Sequence, residues 1–249
     1  MVNRLSIYLI GLLCWLSACG GASAGWVINP FFDGGGEPEP GILFQADFET
    51  DGQISWDSTP AAEDCDGYDA ADDWCDYDTT QYHGGSHSLG LRGSYLTYVE
   101  KSLTGSSTEF YIDSWIRIEN ISNGAYSFRV QHSDGSADIS CTTTSAGAIR
   151  IYYNNSASNL ISDSSLISAS TWYHIGIYYK QGTGNGILRV YLRSDATSFS
   201  YSDVVIESTS ITTGTVDADI IRFRGADSLY IHWYDDIFFN SGDPGWPTS

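Results

Sequence analysis

The feature that most constrains this chain is the period of its apolar residues. From Ile42 onward they alternate with polar ones, and no stretch sustains the 3.6-residue period of an amphipathic helix. Phe110, Ile112, Ile116 and Ile118 share one side of a segment whose other side carries Tyr111, Asp113, Trp115 and Arg117. The same parity sets Phe128 and Val130 against Arg129 and Gln131, and Ile149 and Ile151 against Arg150 and Tyr152. It sets Leu188, Val190 and Leu192 against Arg189, Tyr191 and Arg193, and Ile221 and Phe223 against Arg222 and Arg224. Strands are predicted at 42–48, 88–92, 95–101, 109–118, 126–132, 148–153, 172–180, 188–193, 204–207, 219–224 and 229–239. Clusters of Gly, Asn, Asp and Ser separate them. So many short strands in one span predict an all-β sandwich or barrel over residues 42–249.

The N-terminus reads as an export signal. Arg4 precedes the apolar run 7–16, which is too short to span a bilayer. Leu16-Ser17-Ala18-Cys19 resembles a bacterial lipobox, with residues 1–18 as signal peptide and Cys19 as the acylated first residue of the mature protein. Gly20 in place of Asp implies, by the same resemblance, outer-membrane display. The competing reading is an ordinary secretory signal cut after Ala22-Ser23-Ala24. Both put the protein outside the cytoplasm, and the first ties it to a membrane only through its lipid. Residues 19–41, with Gly34-Gly35-Gly36-Glu37-Pro38-Glu39-Pro40-Gly41, read as a tether that cannot be helix or central strand.

Charge narrows the partners. Asp and Glu number 31 against 11 Lys and Arg, a formal net charge of −20. Nucleic acid is excluded as main partner, because phosphate binding needs a basic footprint. An extracellular glycan or surface protein is expected instead.

Four pieces carry a family resemblance: Ala46-Asp47-Phe48-Glu49 at the start, Gly84-Gly85-Ser86-His87-Ser88-Leu89, Thr171-Trp172-Tyr173-His174-Ile175, and Asp235-Asp236-Ile237 near the end. Their order resembles the concanavalin A-like jelly rolls, laminin-G-like domains in particular. The Phe-Glu opening and Asp-Asp-Ile ending also resemble MAM domains. The resemblance implies a jelly-roll β-sandwich of two antiparallel sheets and leaves function open. It also implies a structural Ca²⁺ held by Asp47, Glu49, Asp235 and Asp236. A hard cation takes six to eight oxygens, and strand alternation leaves one of the two adjacent aspartates as ligand.

Other candidates come from the residues themselves. The segment 63–78 holds Glu63, Asp64, Asp66, Asp69, Asp72, Asp73, Asp76 and Asp78 and reads as an acidic loop, stapled by a Cys65–Cys75 disulfide in an exported protein. Cys141 is left over as a buried small hydrophobe. If the alternating strands share one sheet, Tyr111, Trp115, Arg129, Arg150, Tyr152, Arg189 and Tyr191 form one face for binding carbohydrate, its guanidinium groups suited to acidic polysaccharide. The alternative on such a face is cross-strand pairing of Arg with Asp. A second function class is a polysaccharide lyase or glycoside hydrolase using Arg129, Gln131, His174 and Tyr178. A third is a noncatalytic protein-binding adhesin.

Overall fold

The computed structural model describes residues 41–49, 54, 56–57, 68–70, 73–93, 98–121, 126–132, 137–153, 160–195, 198–213, 217–225, 230–241 and 246. In chain order its strands are β1 (Ile42–Ala46), β2 (Tyr68–Ala70), β3 (Asp73–Asp78), β4 (Ser88–Arg92), β5 (Tyr98–Ser107), β6 (Glu109–Ile118), β7 (Tyr126–Gln131) and β8 (Ala137–Thr143). They continue with β9 (Ala148–Tyr153), β10 (Leu160–Leu166), β11 (Trp172–Lys180), β12 (Gly186–Arg193), β13 (Val204–Ile211), β14 (Ala218–Arg224) and β15 (Ile231–Asn240). Cys19 and the rest of the signal and tether lie outside the described residues, as does Cys65 and with it the expected pairing to Cys75.

The strands make a jelly-roll sandwich of two antiparallel sheets. The larger runs β13, β12, β11, β6, β15, β4, β3, β2, with β1 also paired to β15; the smaller runs β10, β9, β8, β7, β14, β5. The predicted inward residues meet between them. Phe110, Ile112, Ile116, Ile177, Tyr179, Leu188 and Phe239 of the large sheet and Phe128, Val130, Ile149, Ile151, Ile221 and Phe223 of the small one are buried in one core. Tyr234 crosses that core, its hydroxyl donating to the main-chain carbonyls of Ser127 and Arg224. Cys141 sits in the core as a free thiol that burial pushes up to about 12, too high for ready reaction.

Two departures from the predicted pattern shape the site. The acidic segment is partly strand: β2 and β3 form a hairpin that extends the large sheet, with Trp74 opposite Arg92 and Tyr77 opposite Leu89. Cys75 and Tyr77 turn into the core, and that burial overrides the low strand propensity of the aspartates between them. On β15 the pairing to β6 slips. Asp235 faces Trp115, Phe238 faces Asp113, and Asp236 occupies the extra position with a left-handed φ of 47°. This bulge breaks the strict alternation expected for the two aspartates.

His232 of β15 is buried in the protein, and loss of water lowers its imidazole to about 4. A depressed folded value contributes stability above about pH 6.5, which is lost as pH falls toward 4. Relative to His232→Leu, the wild type should therefore lose roughly 3 kcal/mol of unfolding free energy between pH 7 and pH 4. Parallel urea-melt series at the two pH values would show it, and equal losses in both proteins would refute the buried neutral imidazole.

Candidate functional site

The outer side of the large sheet carries side chains in rows across its strands. Trp233, Arg117 and Trp172 stand abreast; next come Asp235, Trp115, His174 and Arg193; then Phe238, Asp113, Gly176 and Tyr191; then Asn240, Tyr111, Tyr178, Arg189 and Glu207. Alternation puts these residues on one side, and antiparallel register lines them up. This face is clad in rings. His83 stacks on Trp115 at 3.4 Å between centroids, Trp115 on His174 at 4.8 Å, and His174 on Phe199 at 4.1 Å, all within 22° of parallel. Tyr111 stacks on Tyr178 at 4.7 Å. Phe199 and Trp246 close over Tyr111, Tyr178 and Tyr191, which form an apolar cluster separate from the core.

Gly176 makes that closure possible. A Cβ on it would come within 2.6 Å of the Phe199 ring and 2.9 Å of Trp246. A strand glycine here marks close approach of other side chains to the backbone. Phe199 is delivered by the turn before Tyr201–Asp203, where Asp203 accepts hydrogen bonds from the Ser200 main chain and hydroxyl at 2.6 Å and pairs with Arg193 at 3.2 Å. The Tyr82 and His83 end stays exposed, and Trp172 is half-buried beside it.

Acidic groups hold the loop 79–87 that brings His83 in. Asp78 opens it: burial would raise its carboxyl, but hydrogen bonds from Thr80 and the Trp233 indole hold it below the usual range. Asp235 is fully buried, and its carboxylate accepts the main-chain N–H of His83 (2.8 Å), Gly84 (3.1 Å) and Asp236 (2.9 Å). Glu49 accepts the main-chain N–H of Ser86 at 2.8 Å and its hydroxyl at 3.0 Å. Burial and then the charge of Asp236 push Asp235 up to about 8. Asp236 is raised to about 6 by burial and by Asp47, Glu49 and Asp113. His83 is lowered to about 4, first by loss of water from the ring face packed on Trp115 and then by neighbouring His174, whose Nε2 meets the Asp113 carboxylate.

These four acids are the ones expected to hold calcium. Asp47, Glu49 and Asp236 do converge on one corner, and the Glu49 and Asp236 carboxylates lie against neighbouring Gly85 and Gly84. Asp235 instead spends both oxygens on main-chain N–H groups. Among the described residues no three His, Cys, Asp or Glu side chains are grouped to hold a metal ion.

The expected binding face is divided. Tyr111, Trp115, Arg189 and Tyr191 lie on the outer side of the large sheet, whereas Arg129, Arg150 and Tyr152 lie on that of the small sheet, across the core. Parity fixes a side chain's side of its strand but not which sheet the strand joins. Tyr111, Trp115 and Tyr191 are buried beneath other rings, so they line a packed layer, not an open platform. Three of the guanidinium groups have counter-ions at hand. Arg189 pairs with Glu207 at 2.6 Å, Arg193 with Asp195 and Asp203, and Arg222 with Glu100. Arg222 also lies 3.9 Å over Tyr98. The same division separates Arg129 and Gln131 from His174 and Tyr178, so that catalytic set is not assembled. Tyr178 itself donates to Glu109 at 2.8 Å, and burial with that bond raises its phenol. His83, Asp113, Gly176, Phe199 and Trp246 were not marked as site residues by the sequence; the glycine inside an apolar strand was the available signal.

No known family matches the chain's sequence, and neither does any curated protein. Among solved structures it is similar to a sialidase at 12% identity and a TM-score of 0.50, covering 81% of this chain and 19% of that one. It is also similar to the binding domain of botulinum neurotoxin DC (14%, TM-score 0.45, 62% of this chain and 38% of that one) and to the carbohydrate-binding module CBM66 of Bacillus subtilis (10%, TM-score 0.39, 68% and 96%). The chain thus spans less than half the length of the first two. The sialidase likeness is one of fold, a β-sandwich.

Gly85 tests the loop clamp. It has φ of +58°, and a Cβ would fall 1.9 Å from the Glu49 carboxylate, whereas Gly184, at φ +76°, has open space. Gly184→Ala should cost about 1 kcal/mol from backbone strain alone, and Gly85→Ala at least about twice that. Chemical denaturation of the two variants measures the difference, and equal costs would mean that the Glu49 side chain swings clear of the loop without loss of stability.

Proposed function

We propose that this domain binds carbohydrate on the outer face of the large sheet, at the exposed end of its ring stack. The observation that carries this is the stack His83, Trp115, His174 and Phe199, open at His83 and Tyr82 and bordered by Asp113, Asp236 and Arg117. A sugar's C–H face lies on such rings, while its hydroxyls bond to carboxylates and guanidinium beside them. The likeness of fold to part of a sialidase is in keeping with it. Carboxylates dominate this border, which suits a neutral glycan. The small sheet's Arg129, exposed Arg150 and Tyr152 support a second reading, in which an acidic polysaccharide lies on the opposite face.

The domain's setting belongs to the same proposal. Cys19 carries a lipid, the Cys65–Cys75 crosslink closes the acidic hairpin, and calcium at Glu49 and Asp236 relieves the repulsion of that corner.

Native electrophoresis through gels containing β-glucan, galactomannan, alginate or chondroitin sulfate tests the reading. Retardation in a neutral gel is expected, weakened about threefold to tenfold by His83→Ala from loss of one stacking surface. Calcium should strengthen it and raise the melting temperature, with no such rise in Asp236→Asn. Retardation in the acidic gels alone, lost in Arg150→Ala, would move the site to the small sheet; no retardation in any gel would remove the glycan reading. In cells, Cys19→Ala should shift the protein from the membrane to the soluble fraction, and unchanged fractionation would argue against the lipid.

A further inference from the structure

The ring stack does not end at Phe199. It continues into a seat whose floor is Gly176 and whose walls are Tyr111, Tyr191 and Phe199, and Trp246 fills it. The indole lies 5.5 Å from Tyr111, 5.2 Å from Tyr191 and 5.1 Å from Phe199, at steep angles to all three. We propose that this seat is a subsite for one pyranose ring, and that Trp246 is its intramolecular occupant, displaced when a glycan chain extends from the exposed end of the stack. The inference rests on the glycan-binding reading and deepens it.

Three observations carry it. Trp246 is half-exposed, and among the described residues its indole makes ring contacts and donates no hydrogen bond. Trp233, by contrast, is buried and donates to Asp78 at 2.7 Å. The seat has a sugar site's mixed chemistry, with apolar walls and polar groups at both ends. Asp113 stands beside Gly176 on the β6 side, and the pairs Tyr178–Glu109 and Arg189–Glu207 stand in the next row. Carboxylate and guanidinium groups so placed can exchange part of their present pairing for a sugar's hydroxyls. Finally, residue 176 lacks a side chain, and a Cβ there would meet Phe199 and Trp246, so the backbone floor gives the seat its depth.

An internal occupant lowers apparent affinity by the fraction of molecules in which the seat is open. In the four polysaccharide gels, Trp246→Ala should therefore be retarded at about one-tenth the polysaccharide concentration that retards the wild type. Gly176→Ala should not gain, because its methyl group fills the floor. Equal retardation of wild type and Trp246→Ala would overturn the subsite and leave the glycan reading standing. A gain in Gly176→Ala equal to that of Trp246→Ala would place the site elsewhere and overturn it too. Absence of retardation in every protein would remove both proposals. An independent readout uses wild-type protein labelled with 5-fluorotryptophan, its Trp246 fluorine signal assigned through Trp246→Phe. That signal should move saturably with added oligosaccharide from the retarding gel, and a fixed signal at saturation would overturn displacement even if Trp246→Ala failed to fold.

Discussion

Asp235 has no exposed surface, yet its carboxyl takes three main-chain N–H groups, two of them from the loop between β3 and β4, the latter paired directly to β15. A buried carboxyl without such partners would be costly. The loop 79–87 is therefore fixed where those amides can reach, and that position lays His83 on Trp115. The neighbouring bulge at Asp236 turns a second carboxyl toward Asp47, Glu49 and Asp113. Ring stack, acidic corner and loop thus share one anchor, on the strand that joins β6 to β4 in the middle of the large sheet.

Much of the fold was legible because alternation is a local signal. The predicted bounds of β4, β6, β9 and β11 are those observed, and their inward residues are the ones that meet in the core. The strands that escaped notice had their pattern obscured by composition. β8 offers Ile139 and Cys141 to the core among Ser and Thr, and β3 offers Cys75 and Tyr77 among aspartates. In these places burial of a few side chains decides the conformation, and propensity does not.

The candidate site was legible only in part, because it depends on which strands become neighbours. Arg129 and Arg189 have the same parity on their strands, and the topology sends them to opposite sides of the molecule. Trp115 was visible as an outward residue and His174 as a candidate catalytic one, but their register across β6 and β11 was not, nor was the arrival of Phe199 and Trp246 from distant segments. The two outer faces end up chemically distinct. One is a layer of rings with acids at its margin. The other is more polar, with Arg222 held between Glu100 and Tyr98 and with Arg150 exposed.

The β2–β3 hairpin has a consequence for crowding. Among the described residues β2 is an edge of the large sheet, and an open edge offers unpaired main-chain groups to any passing strand. The edge strand β2 carries Asp69, and its neighbour β3 carries Asp73 and Asp76. A second copy approaching strand to strand would bring its own aspartates against these, and like charges on opposed strands repel. Copies brought close together would thus be hindered from pairing through this edge.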